Sequence, residues 1–194
     1  MKQIHTSVVN NTLVDYPRLY KIQELVAETA NTPGSIAEVG VYRGGTAYLL
    51  CEAAPNKHIY LFDTFEGMPT VDESKDLHKT GDFADTSLEG VKSLLSEFKN
   101  VTITKGLFPA SAHNVIHPLQ FSLVHLDVDI YQSVKEGLHY FWPRLTTGGV
   151  IILDDYLEPN CPGAKLATDE FVAATPGAVF ETTCQSQAII RKPV

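Results

Sequence analysis

Ser35-Ile-Ala-Glu-Val-Gly-Val-Tyr-Arg-Gly-Gly-Thr-Ala47 is the stretch whose reading decides the fold. Ser35 to Val41 is an apolar run that ends in glycine territory, the composition of a buried strand. Gly44 to Ala54 has the residues of a helix and is closed by Pro55. Strand, glycine-rich turn and helix therefore follow one another within twenty residues or so of chain, and that unit repeats outward. Upstream, Leu19, Ile22, Leu25 and Val26 recur at helical spacing between Tyr16 and Ala30, and Asn31 to Gly34 stop that helix. The residues through Asp15 read as an arm or a piece of substrate cover rather than core.

Downstream, His58 to Phe62 is a second strand ending at Asp63. Thr64 to Asp85 breaks the rhythm. It is rich in Asp, Glu, Lys, Gly and Pro, which predicts a long functional loop and a lid over a site. Thr86-Ser-Leu-Glu89 has capping-box spacing and opens a helix through about Phe98. Strands are predicted at Val101 to Thr104, Phe121 to Leu126 and Val150 to Leu153. Helices are predicted from Tyr131 to Leu145 and from about Gly163 to Ala174. Val179 to Thr183 and Ala188 to Arg191 suit a terminal hairpin. Such alternation means an α/β fold of Rossmann-like type, with a mainly parallel sheet covered on both faces. The chain of 194 residues shows no repeat, linker or low-complexity tract, so residues 1–194 read as one domain.

Composition excludes several classes. A net charge of −8 with scattered Lys and Arg argues against nucleic acid. No apolar run is long enough to cross a bilayer, and the first residues lack a signal-peptide layout, so a cytoplasmic location is expected. Cys51, Cys161 and Cys184 form no CxxC pair and are expected to be reduced thiols.

In parallel sheets of this kind ligands gather at the carboxyl ends of the strands, where the polar residues of this chain fall. The glycines between Gly40 and Gly45 let a ligand approach the backbone, and the following helix offers free N–H groups to an anion. The spacing is G-x-x-x-G-G, not the G-x-G-x-x-G of dinucleotide enzymes. An amino-acid carboxylate, as in S-adenosylmethionine, suits it better than a pyrophosphate, and Glu38 can meet the ligand's ammonium. A tight strand–helix turn without a ligand is the plainer alternative. Asp63 stands where an acidic side chain binds a ribose, or else it forms a turn. Gly106 and Phe108, after the third strand, would lie along an adenine. Tyr42, Gly44, Thr46 and Thr64 complete the expected cofactor-binding positions with Gly40 and Asp127.

His125-Leu-Asp-Val-Asp129 and Ile151-Ile-Leu-Asp-Asp155 are apolar strands that run straight into carboxylates. If they are neighbours, Asp127, Asp154 and Asp155 share one small volume. Crowded carboxylates repel, and a hard divalent ion such as Mg²⁺ relieves that repulsion. Loop caps or a partner arginine would also account for them. Asp129 could join the metal shell or cap the helix near Tyr131; the cap is preferred because strand alternation turns it away from Asp127, and His125 reads as a core or supporting residue.

Taken together, the segments AEVGVYRGGTA (Ala37 to Ala47), YLFDTFEGMP (Tyr60 to Pro69), FADTSLEGV (Phe83 to Val91), HLDVDIYQSVKEGL (His125 to Leu138), PRLTTGGVIILDDY (Pro143 to Tyr156) and CPGAKLATDEF (Cys161 to Phe171) resemble the macrocin O-methyltransferase family. The resemblance implies a seven-stranded class I methyltransferase sheet with a C-terminal antiparallel strand, S-adenosylmethionine as donor, and magnesium. It also implies that Asp127 both binds the metal and serves as general base, with Asp154 and Asp155 completing the site. Family members that methylate sugars carry more structure before the first strand, so the resemblance leaves the hydroxyl acceptor, a small molecule such as a sugar or vicinal diol, unassigned. Oligomeric state is left open. Two rivals are a nicotinamide-dependent oxidoreductase, disfavoured by the loop spacing and by the lack of an evident Tyr-x-x-x-Lys relay, and a non-catalytic S-adenosylmethionine-binding domain.

Overall fold

A computed structural model of the chain describes residues 3–113, 115, 119–183 and 185–193. Cys184 lies outside them. Each apolar run became a strand: β1 (Ser35–Val39), β2 (Ile59–Asp63), β3 (Val101–Lys105), β4 (Phe121–Leu126) and β5 (Leu145–Leu153) pair in parallel. β6 (Val179–Thr182) and β7 (Ala188–Arg191) form the expected antiparallel hairpin, with β7 against β5. The order across the seven strands is β3-β2-β1-β4-β5-β7-β6. β4 is buried along its whole length, as an interior parallel strand must be.

Helices cover both faces. On one, Leu19, Ile22 and Leu25 of α2 (Tyr16–Glu28) pack with Leu49 and Leu50 of α3 (Gly45–Ala53). On the other, Val134, Leu138 and Phe141 of α5 (Tyr131–Phe141) pack with Ala167 and Phe171 of α6 (Pro162–Ala174). The strand order reverses between β1 and β4, and the crevice beyond their carboxyl ends is where such a sheet binds ligands.

Several local expectations are corrected. The first residues do join the core: α1 (Thr6–Val9) buries Val8 completely, and Ile4 and Val14 are also buried, while Thr12, Leu13 and Val14 border the cavity described below. Gly45 donates its N–H to the Asn11 carbonyl, and a Cβ there would lie 2.4 Å from the Val8 carbonyl oxygen. The hydrophobic positions are too irregularly spaced to show a period, yet they seal the start of α3. α4 (Leu88–Leu94) is shorter than expected and is capped by Ser87, whose Oγ accepts the Gly90 N–H at 3.1 Å. Thr86 instead donates its hydroxyl to the Tyr42 carbonyl. α5 stops at Phe141, because Pro143 follows within a short 3₁₀ turn. Thr146 to Gly149, expected as a stop, belongs to β5, and Gly148 and Gly149 pair with Lys192.

Asp129 does not cap α5. The Tyr131 N–H is accepted at 2.8 Å by Asp76 Oδ1, a buried carboxylate from the 64–85 segment. Gly163 of α6 lies against the same group, where a Cβ would come within 1.8 Å of Asp76 Oδ1. Asp76 thus pins three segments together. Asp76→Ala is expected to lower stability by about 1–2 kcal/mol, read as a lower urea midpoint at unchanged m-value.

Candidate active site

A cavity of about 320 Å³ opens at the carboxyl ends of β1, β2, β4 and β5. The glycine-rich turn forms one wall. Gly40 has φ +85°, and a Cβ on it would sit 1.7 Å from the Asp127 carbonyl oxygen, so β1 and β4 approach there as only glycine permits. Asp63 holds the turn from the neighbouring strand. Its Oδ2 accepts the N–H groups of Val41 at 2.7 Å and Tyr42 at 2.9 Å, and its Oδ1 accepts that of Phe65 at 2.6 Å. Asp63 is therefore a turn former, and it also faces the cavity. Tyr42, Phe83 and Asp129 line the cavity with positive φ, at 51°, 60° and 56°. Strained non-glycine backbone of this kind concentrates at functional sites.

Gly40, Tyr42, Thr46, Asp63, Thr64, Gly106, Phe108, Asp127, Asp154 and Asp155 all border this cavity. Two expected residues do not border it. Glu38 is fully buried, does not border this cavity, and bonds His125 through Oε1 at 3.0 Å. Strand alternation turns it into the sheet, where burial pushes its carboxyl up against the opposing pull of His125. Gly44 is the N-cap of α3 at φ +87°, packed against Val91 and Leu94, and shapes the turn from behind.

Asp127, Asp154 and Asp155 do converge: one oxygen from each lies within 4.8 Å of the others. Their environments differ. Burial would raise Asp154, but His125, Arg18 and Gln187 outweigh it and hold its carboxyl below the usual range. Gln187 donates to Asp154 Oδ1 at 2.8 Å, His125 Nε2 lies 3.6 Å from the same oxygen, and Arg18 pairs with Oδ2. Burial and neighbouring carboxylates push Asp127 and Asp155 well up instead. Burial alone would lower His125, but Asp154 and Glu38 bring it to about 9.

Asp155 Oδ2 is buried and has no hydrogen-bond partner among the described residues. An orphaned oxygen beside two further carboxylates fits a hard oxygen-seeking cation, which would share Asp154 with Arg18. Sequence reasoning missed Arg18. Its place beside Leu19 on an amphipathic helix reads as solvent-facing, whereas the guanidinium reaches in and also lies 3.8 Å from Asp155. His78 and Cys161 were missed as cavity residues as well, and Asp129, preferred as a cap, also borders the cavity.

Contrary to expectation, Tyr131 and Lys135 do stand at relay spacing. The Tyr131 hydroxyl is engaged by Glu170 at 2.7 Å and by Lys135 at 3.1 Å, and neither residue borders the cavity. No helix among the described residues is long and apolar enough to cross a membrane.

Residues 5–176 match the family model for macrocin-O-methyltransferase (TylF). The chain is 27% identical to a demethyldecarbamoylnovobiocin O-methyltransferase of Streptomyces niveus, over 84% of this chain and 68% of the relative. It is 26% identical to a mycinamicin III 3''-O-methyltransferase of Micromonospora griseorubida, over 79% of this chain and 68% of the relative. Among solved structures it resembles the O-methyltransferase NovP with a TM-score of 0.82 at 25% identity, covering 95% of this chain and 83% of that one. With the strand-end cavity, the matched motifs and these relatives in agreement, the chain belongs to the macrocin O-methyltransferase family and is an S-adenosylmethionine-dependent O-methyltransferase.

Proposed function

We propose that this enzyme methylates a hydroxyl of a sugar or other vicinal diol on a natural product, with a divalent cation of the magnesium class held by Asp127, Asp154 and Asp155. The observation that carries the reading is the convergence of three carboxylates, one with an orphaned oxygen, on a cavity also bordered by the glycine-rich turn. Support for the acceptor comes from a relative whose name carries a sugar, an 8-demethyl-8-(2,3-dimethoxy-alpha-L-rhamnosyl)-tetracenomycin-C 4'-O-methyltransferase of Streptomyces olivaceus.

In this reading the turn at Gly40, Tyr42 and Thr46 receives the amino-acid end of the donor, and Gly44 shapes it from behind. Asp63 and Thr64 take the ribose, and Gly106 with Phe108 flanks the adenine. The sulfonium methyl is already activated, so the chain's tasks are alignment and removal of one proton. A bound magnesium ion would stabilise the acceptor alkoxide electrostatically. Asp127, at the cavity end of β4, accepts the hydroxyl proton. Asp129 is the second candidate for that proton, favoured by the backbone at φ 56° that turns it to the cavity. The 64–85 segment, with Met68 and Phe83 on the cavity wall, excludes water as a lid.

Methyl transfer from labelled S-adenosylmethionine to glycosylated acceptors with intact or singly deoxygenated diols tests this reading. Transfer to one of two adjacent hydroxyls is expected, with a loss of at least ~100-fold when the neighbouring hydroxyl is absent. Donor binding without transfer to any diol would refute it in favour of a non-catalytic binder.

A further inference from the structure

His78, Asp129 and Cys161 come from three separate parts of the chain and meet on the cavity wall. His78 belongs to the 64–85 segment, Asp129 to the turn after β4, and Cys161 to the start of α6. Cys161 Sγ lies 3.6 Å from His78 Nε2 and 3.6 Å from Asp129 Oδ1. One donor atom from each of the three lies within 4.8 Å of the others.

Two features suit this cluster to a cation. The first is its dimensions. Zinc bonds of about 2.3 Å to sulfur and about 2.0 Å to nitrogen or oxygen, at tetrahedral angles, separate those donors by about 3.5 Å. Both sulfur edges of the cluster match that spacing. The second is the orientation of the histidine. His78 Nδ1 is 3.2 Å from Asp82 Oδ2, whose carboxylate also accepts the Lys79 N–H at 2.9 Å. A metal-ligating histidine characteristically gives its other ring N–H to a carboxylate, which leaves the remaining nitrogen a lone pair aimed at the ion. That nitrogen here is Nε2, the one facing Cys161.

We propose that His78, Asp129 and Cys161 form a second cation site, selective for a soft divalent ion of the zinc class and separate from the three-aspartate cluster. A sulfur, an imidazole and a carboxylate favour such an ion over magnesium. Binding displaces one proton from the Cys161 thiol to solvent as the thiolate bonds the ion, and a fourth position is left facing the cavity. The ion ties the 64–85 segment to the start of α6, so its occupancy sets how freely that segment opens. The site rests on the reading above that Asp127, and not Asp129, accepts the hydroxyl proton.

The test is a cobalt titration of reduced, magnesium-saturated protein, followed in the near ultraviolet. One equivalent of Co²⁺ is expected to raise a thiolate-to-cobalt charge-transfer band that Zn²⁺ bleaches. Cys161→Ser abolishes the band while S-adenosylmethionine still binds. Asp82→Asn weakens Zn²⁺ affinity by about 10–100-fold. His78→Gln, a change in a connecting segment, weakens it by at least that much. A wild-type protein with no band, a band that persists in Cys161→Ser, or unchanged affinity in His78→Gln would each overturn the proposal.

Discussion

Replacing Asp127 by asparagine is expected to lower kcat by about 10²–10⁴-fold while leaving the affinity for S-adenosylmethionine essentially unchanged. The substitution keeps the shape and one oxygen but removes the charge and the proton-accepting capacity. Asp127 sits where the end of β4 meets the cavity, and its backbone N–H stays bonded to the Val39 carbonyl at 3.0 Å whatever the side chain. The strand end and the glycine-rich turn should therefore keep their positions. Because burial and three neighbouring carboxylates raise Asp127, the neutral amide also relieves repulsion, so a gain in thermal stability of the metal-free protein should accompany the loss of turnover. Single-turnover rates with donor affinity measured calorimetrically check both halves. A near wild-type rate would transfer the proton-accepting role to Asp129.

The second large effect is on the backbone rather than on the chemistry. Gly40→Ala is expected to destabilise the fold by about 3–5 kcal/mol and to abolish donor binding in whatever folds. The added Cβ would lie 1.7 Å from the Asp127 carbonyl oxygen and 2.7 Å from its carbon, neither of which can swing aside as a flexible side chain could. It would also occupy φ +85°, where alanine is strained. Relief requires β1 and β4 to separate at their carboxyl ends, the place where Gly40 N–H bonds Phe62 and Asp127 N–H bonds Val39. Gly81→Ala is the matched control. It has a similar φ of +91° but no atom within 4 Å of the added carbon, so it should cost only the backbone strain of about 1–2 kcal/mol. Equal losses for the two variants, by urea denaturation, would mean that the close approach of the strands contributes little.

The parts of the site that were legible from the sequence share one property: an apolar run that ends abruptly in a carboxylate. Asp63, Asp127, Asp154 and Asp155 each follow such a run, and pairing of β4 with β5 in register Leu126 to Leu153 brings the last three together. Glu38 is placed differently. It lies inside the strand rather than past its end, so alternation buries it with His125 instead of presenting it. Asp129 misled because alternation stops applying once the backbone turns to positive φ. The cap it was expected to provide comes from Asp76, far away in sequence, and no local pattern can reveal that. Arg18 and His78 were illegible as well. A charged residue on a helix and a histidine in a polar loop carry no sign of what tertiary packing will place opposite them, here Asp154 and Cys161.

As proposed above, three strand-end carboxylates hold a cation used in methyl transfer but not in donor binding. The most direct measurement is turnover of the wild-type enzyme on its acceptor after exhaustive chelation, paired with donor affinity in the same sample. At least ~100-fold loss of turnover, full recovery on adding Mg²⁺, and unchanged donor affinity are expected. Turnover that persists in excess EDTA, with the donor bound normally, would contradict the proposal.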